Sequence, residues 1–306
     1  MNHEIVDVII VGAGPAGLQA ALHAARKKTS VIVLGKSANS AIYPAHVENY
    51  LGVDGVADGA DLLAIGVGQA KRFGAQVKEE DVLGIEQSGA LFVVKTDSNE
   101  YLGRTLILAT GTSRKKLKVE GEKRLFGRGV SYCVDCDANF YRNAKVAVVG
   151  NGSAAVDGAL TLLGYAAEVS LITKQLTVSA ELEKKLLASD VRVKEGRWVE
   201  KIQGENEVES VLLDDDSVLL LDGVFVELGA KSAVELAVNL GVMLDMETMT
   251  HIATNKKQET NIAGIYSAGD IAGQPYQMAK AVGEGCVAGW EAANYANKQK
   301  REEMAD

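Results

Sequence analysis

The chain has 306 residues, of which 47% are apolar and 24% charged, with a net charge of −9 and a pI near 5.1. That length exceeds the usual single core and predicts two domains. The acidic balance argues against nucleic acid, since nothing would neutralise its phosphates, and no stretch approaches the roughly 20 apolar residues that span a bilayer. Met1 to Glu4 lead straight into a strand, without a basic leader or cleavage site. Three cysteines fit a reducing cytoplasm better than a secreted disulfide framework. The 32 glycines against 3 prolines are the unusual feature.

Val6 to Val11 is an apolar run without clean alternation, the pattern of a buried parallel strand. Gly12-Ala13-Gly14-Pro15-Ala16-Gly17 follows, and then a helical run from Leu18 to Ala25. Strand, GxGxxG and helix together point to a dinucleotide site, with backbone N–H groups and the helix N-terminus set against a pyrophosphate. Ser30 to Leu34 completes the unit as a second strand. The acid that usually stands at its end to hold a ribose is absent, and Gly35 and Lys36 occupy the place. Thr105 to Thr110 reads as another buried strand ending in Gly111.

Cys133-Val134-Asp135-Cys136-Asp137 comes next. Cysteines at this spacing can close a small redox-active disulfide ring. Capping a helix would favour a thiolate there. Asp137 supplies a carboxyl group suited to moving a proton to or from sulfur. Half of a zinc site is the competing reading, but no second C-x-x-C or H-x-x-x-H supplies the remaining ligands, and no metal is expected. Inert cysteines are the third reading.

Shifting the chain by 138 residues lays Val11-Gly12-Ala13-Gly14 on Val149-Gly150-Asn151-Gly152, and Val31 to Leu34 on Val169 to Ile172. Lys145 to Val149 again reads as a strand and Val156 to Leu163 as a helix. A second nucleotide loop, Gly150, Gly152, Ser153 and Ala154, is thus predicted, either holding the electron donor or vestigial. Gly264 to Asp270 reads as a strand of the first domain, ending in the Asp270 carboxylate. The expected fold is therefore α/β, with two three-layer Rossmann-like domains, the second inserted into the first. Residues 1–114 and 247–306 would form one domain and 115–246 the other, with a hinge at crossings near Ser113 to Lys115 and Met243 to Thr248. The basic runs Arg114 to Lys118 and Lys298 to Arg301 read as solvated surface.

Across almost its whole length the chain resembles the low-molecular-weight thioredoxin reductases. The matching segments are Gly12 to Gly17, Val47 to Tyr50, Ala109 to Thr112, Gly127 to Cys133, Cys136-Asp137, Phe140 to Arg142, Gly150 to Ala155, Ser267 to Asp270 and Gly283 to Cys286. The resemblance implies a cytoplasmic homodimer that binds FAD on Gly12, Gly14, Pro15, Ala16 and Gly17. Asn49, Thr110, Gly111, Asp270, Gln277 and Met278 would complete the cofactor site, with Asp270 near the ribityl chain. It also implies that Cys136 faces the flavin, that Cys133 attacks a thioredoxin-like partner through a mixed disulfide, and that Asp137 moves the proton. Cys286 is expected to be a packed cysteine at a helix start.

Departures from that pattern concern the electron donor. Members that use NADPH carry a His-Arg-Arg run after the second unit's second strand. Here the run is Thr173-Lys174-Gln175, and no arginine occurs from Gly164 to Asp190. One lysine does not reproduce a bidentate arginine grip on phosphate. Ser37 to Ala45 replaces the usual Gly-Gly-Gln segment, and Tyr276-Gln277-Met278 replaces Arg-Gln-Ala. Tyr43 and Tyr276 are candidates for stacking on the flavin ring, or for surface packing. The sequence resembles the branch that has lost NADPH use and takes electrons from ferredoxin or another flavin-type donor. The donor stays open among NAD(P)H, ferredoxin and such a carrier. An electron-transfer or redox-sensing protein, or a ferredoxin–NAD(P) reductase-like flavoenzyme, is the alternative function.

Overall fold

The computed structural model describes residues 4–112, 116–229, 231, 233–246 and 250–304. It divides into two compact units, Met1–Ser113 with Ser232–Asp306, and Arg114–Lys231. The first expected crossing, at Ser113 to Lys115, lies outside the described residues. The return falls at 231/232 rather than near 243–248. The physical reason is apolar: Ala233, Leu236, Ala237 and Val242 are buried in the first unit's core.

The first unit begins with β1 (Ile5–Val11), α1 (Pro15–Arg26) and β2 (Val31–Leu34). A short ribbon of β3 (His46–Val47) and β4 (Ala57–Asp58) precedes α2 (Gly59–Arg72) and β5 (Gln76–Lys78). An antiparallel meander follows, β6 (Val82–Ser88), β7 (Leu91–Thr96) and β8 (Glu100–Leu108). Sheet order is β5-β2-β1-β8-β7-β6, and the parallel core runs β5-β2-β1-β8.

The second unit carries β9 (Val130–Ser131), α3 (Val134–Asp137), β10 (Lys145–Val149), α4 (Ser153–Leu162), β11 (Glu168–Thr173), α5 (Ala180–Leu187) and β12 (Arg192–Glu195). Then come β13 (Val199–Gln203), β14 (Ser210–Leu213), β15 (Val218–Leu220) and β16 (Gly223–Val226). Its main sheet, β12-β11-β10-β16-β9, is parallel throughout. The antiparallel trio β13 to β15 buries Ile202, Val211 and Leu213 against Ala147, Val149 and Ile172. The 138-residue repeat holds to the register: Val8 pairs with Val31, and Val146 with Val169.

The chain then returns to the first unit through α6 (Ala233–Val238), β17 (Ile265–Ser267) and the 26-residue α7 (Met278–Glu303). β17 joins the parallel core beside β8. Strand geometry sorts β1 between two faces. Val8 and Ile10 pack with alanines of α1 and α7, whereas Ile9 and Val11 pack with Leu34, Leu106 and α6. Each such fully buried side chain contributes about 1.5–3 kcal/mol. α7 lies so close to α1 that a Cβ on Gly285 or Gly289 would come within 2.2 Å of the Ala16 or Ala20 carbonyl oxygen. Lys300 reaches the buried Asp7 of β1 at 2.8 Å, and Glu303 pairs with Arg104 of β8.

Candidate active site

The first loop joins β1 to α1 through two close approaches. Gly12 has φ +116°, and a Cβ there would meet Ala109 O at 2.3 Å, while one on Gly17 would meet Gly12 O at 1.9 Å. Only hydrogen fits at either place, so α1 starts directly at the strand's end. Gly14 caps that helix without any side-chain hydrogen bond, and Pro15 opens it. A Cβ on Gly14 would meet nothing nearer than Ser40 Oγ, at 3.2 Å. Free N–H groups at a helix start, reached over a bare glycine, suit an anionic pyrophosphate.

Beside this loop, Gly35 stands where the ribose-holding acid is missing, and its N–H donates to Lys78 O at 3.0 Å. Lys36 turns to the buried Asp81 at 2.7 Å. Leu34 pairs with Lys78 at the end of β5, so Glu79, the residue after the strand, follows level with Gly35. Gly35, Ser37, Lys71, Val77 and Glu79 line a cleft of about 440 Å³. Glu79 is a residue that sequence reading missed. The signal lies in cross-strand register, which one segment does not reveal.

Other expected cofactor residues converge within the same unit. The Asn49 side-chain amide donates to Gln277 Oε1 at 3.1 Å, and Met278 opens α7. Thr110 Oγ1 accepts from the Ala233 N–H at 3.0 Å and lies against Gly111 O, so its hydroxyl is engaged within the protein. Asp270 is half-buried at the end of the β17 segment, in a turn rather than in the strand itself. Burial raises its pKa, Glu284 adds to the effect, and Lys280 and His251 oppose it. Lys280 and Glu284 pair at 2.9 Å and pin the turn by bonding Gly269 and Gly273. Tyr276 and Tyr43 are exposed, and the Tyr276 hydroxyl meets His251 Nε2 at 2.7 Å.

In the second unit Cys133 and Cys136 form a disulfide, with sulfurs 2.07 Å apart. Cys133 caps α3, and its Sγ accepts from the Cys136 N–H at 3.2 Å. α3 is four residues long, so the expected dipole reaches barely one turn. Ser131 Oγ donates to Asp137 Oδ2 at 2.6 Å and accepts from the Cys133 N–H at 3.0 Å. Asp137 is thereby tethered to the ring through a buried hydroxyl. Cys133 is buried and Cys136 exposed. Tyr141 has a raised pKa, through burial first and the Asp137 charge second.

The second glycine loop differs from the first. A Cβ on Gly150 would meet Glu227 O at 1.9 Å, whereas Gly152 is open. Ser153 and Ala154 are buried in the first turn of α4. Asn151 Oδ1 accepts from Thr173 Oγ1 at 2.9 Å and from the Lys174 N–H at 3.2 Å, and Asn151 O accepts from the Thr177 N–H at 2.8 Å. The loop after β11 is thus fastened onto the glycine loop. Cys286 is a free, partly exposed cysteine eight residues into α7, not at its start. Among the described residues no His, Cys, Asp and Glu group is placed to hold a metal, and no helix is long and apolar enough to cross a membrane.

Residues 6–285 match the family described as pyridine nucleotide-disulphide oxidoreductase. A thioredoxin reductase of Listeria monocytogenes is 33% identical, over 98% of this chain and 96% of its own. The chain belongs to that family, in its thioredoxin reductase group. The structure of an atypical thioredoxin reductase, TRi, from Desulfovibrio vulgaris Hildenborough superposes with a TM-score of 0.81 at 33% identity, over 95% of this chain and 98% of the other. A ferredoxin-flavin thioredoxin reductase from Clostridium acetobutylicum gives 0.69 at 33% identity, over 96% and 99%. As a member of the group the chain is an FAD-dependent oxidoreductase. The first unit fits that cofactor, with bare Gly14 at a helix start that has no side-chain cap and, after β17, the half-buried Asp270 carboxylate.

Proposed function

We propose that this chain is a thioredoxin-disulfide reductase whose FAD is reduced by ferredoxin or another flavin-type carrier rather than by NADPH. The observation that carries the reading is the Cys133–Cys136 ring with Asp137 tethered beside it. The Asn151 fastening supports the choice of donor, because it ties up the strand end where a nucleotide's ribose or 2′-phosphate would be read. The Clostridium acetobutylicum relative, a ferredoxin-flavin thioredoxin reductase, agrees with that donor class. A homodimer in the cytoplasm is part of the same proposal, as is the assignment of units: FAD on the discontinuous one, dithiol on the inserted one.

Gly12, Gly14, Pro15, Ala16 and Gly17 would hold the pyrophosphate, with Asp270 accepting from the ribityl chain. Asn49, Thr110, Gly111, Gln277 and Met278 would border the remainder. Glu79 would take the ribose hydroxyls in place of the missing β2 acid. Bound FAD supplies a two-electron reservoir for the disulfide. Two electrons and one proton open the Cys133–Cys136 bond into one thiol and one thiolate, and Asp137 holds or returns that proton. A thiolate then attacks the partner's disulfide, forming a mixed disulfide and leaving one partner sulfur as a thiolate on that protein. The second cysteine displaces the other partner sulfur and restores the ring. Cys133 is the attacking sulfur in this assignment, and its burial requires that it be uncovered first.

Anaerobic titration of the purified holoenzyme tests the donor and the acceptor together. Reduced ferredoxin should bleach the flavin, NADPH and NADH should not, and one thioredoxin should be reduced per two electrons. Rapid bleaching by NADPH would overturn the donor. Unchanged turnover in Cys133→Ser or Cys136→Ser would overturn the dithiol.

A further inference from the structure

Asp135, one of the two residues between the ring cysteines, is paired with a lysine of the same unit. Its Oδ2 lies 2.8 Å from Lys231 Nζ, and the same nitrogen lies 2.8 Å from Asp157 Oδ2 on α4. The Lys231 side chain is only 7% exposed. Burial would lower its pKa, but Asp157 and Asp135 outweigh that and hold it well above the ordinary lysine value, so the ammonium is permanent. Lysine is seldom buried unless paired, and here it is paired twice. α3 also packs tightly on α4: a Cβ on Gly158 would come within 3.0 Å of Val134 Cγ2.

Among the described residues, the charged and titratable groups around α3 are mostly acidic. Asp135 and Asp137 lie on it, Asp157 lies on α4, the buried Glu227 follows β16, and Tyr141 stands in the next turn. Among the described residues Lys231 is a buried cation that pairs with two of them, and Arg142 lies exposed after Tyr141, bonded to Asn139. Reduction of the ring adds a further negative charge as thiolate. Like charges nearby disfavour that anion, and an opposite charge favours it.

We propose that Lys231 is a positioning residue for the dithiol. It clamps Asp135, one of the two inner residues of the ring, to α4 and supplies the positive charge against which the thiolate forms. The inference rests on the redox reading of Cys133 and Cys136. It requires neither the flavin nor the donor.

The test is the pH profile of iodoacetamide alkylation of the reduced holoenzyme, read at each cysteine by mass spectrometry. Lys231→Met should move the midpoint of the more reactive thiol up by about one pH unit, an approximately tenfold loss of thiolate below that midpoint. Lys231→Arg should restore the wild-type profile, which a role in packing volume alone would not predict. A Lys231→Met profile that superposes on wild type overturns the proposal. Should that variant not fold, Asp135→Asn replaces it. Removing one carboxylate while Lys231 keeps Asp157 should move the midpoint down, and an unmoved midpoint overturns the clamp. A wild-type protein whose cysteines never cycle between ring and dithiol would defeat the underlying redox reading instead.

Discussion

The two glycine loops were built on one plan and have ended differently. Both join a buried parallel strand to a helix with the same register, yet their surroundings at the end of the second strand diverge. In the first unit the β2 end is bare, a cleft opens beside it, and Glu79 stands level with Gly35. In the second, Asn151 fastens Thr173, Lys174 and Thr177 across the equivalent place. The glycines create a strand-to-helix turn in either case. Whether a nucleotide can use it depends on what the neighbouring strand leaves free.

Matched substitutions would sharpen this contrast most. Gly14→Ala and Gly152→Ala occupy equivalent positions of the repeat, and the second has open space for a methyl group. Gly14→Ala should weaken FAD binding by about 10- to 100-fold, the loss of one or two charge-assisted contacts. Gly152→Ala should leave flavin content and ferredoxin-driven turnover unchanged within about twofold. A large loss of turnover in Gly152→Ala would mean that the second loop is occupied.

Asp270→Asn comes next, read by flavin affinity and by the pH dependence of apoprotein melting. Because burial raises the pKa of Asp270, the folded state binds this proton more tightly than the unfolded chain does. The resulting stability is present below the unfolded pKa and is lost as pH rises through the folded one. At neutral pH the asparagine variant should therefore melt slightly higher as apoprotein while binding FAD about tenfold more weakly. A lower apoprotein melting temperature would contradict the sign.

Glu79→Gln should weaken FAD by about tenfold and leave FMN affinity alone, since FMN lacks the adenosine half. Equal losses for both flavins would place Glu79 in the scaffold rather than at the ribose. The smallest effect is expected for Asn151→Ala, a loss of about 1–2 kcal/mol in thermal or denaturant unfolding without any gain of NADPH reduction. NADPH reduction in that variant would show the fastening to be a gate.

Much of this arrangement was legible in the sequence, and the remainder was hidden for a common reason. The strands β1 and β10, their loops and the redox ring declare themselves within a few consecutive residues. Glu79 matters only once β5 is paired with β2, and Lys231 only once the fold carries it across 96 positions to Asp135. In isolation each reads as ordinary surface charge. The return crossing was displaced for a similar reason: the apolar face of α6 belongs to a core that it shares with Ile9, Leu34, Leu106 and Leu108, more than a hundred residues upstream.

The seam between α1 and α7 sets an order of assembly. The helix that carries the Gly12–Gly17 turn is backed by Gly285, Gly289 and the alanines around them, which are synthesised after the whole inserted unit. The inserted unit is continuous in sequence, Arg114–Lys231, and its chain is complete earlier in synthesis. On the proposed assignment of units, a nascent chain would hold the dithiol segment before it could retain its first flavin.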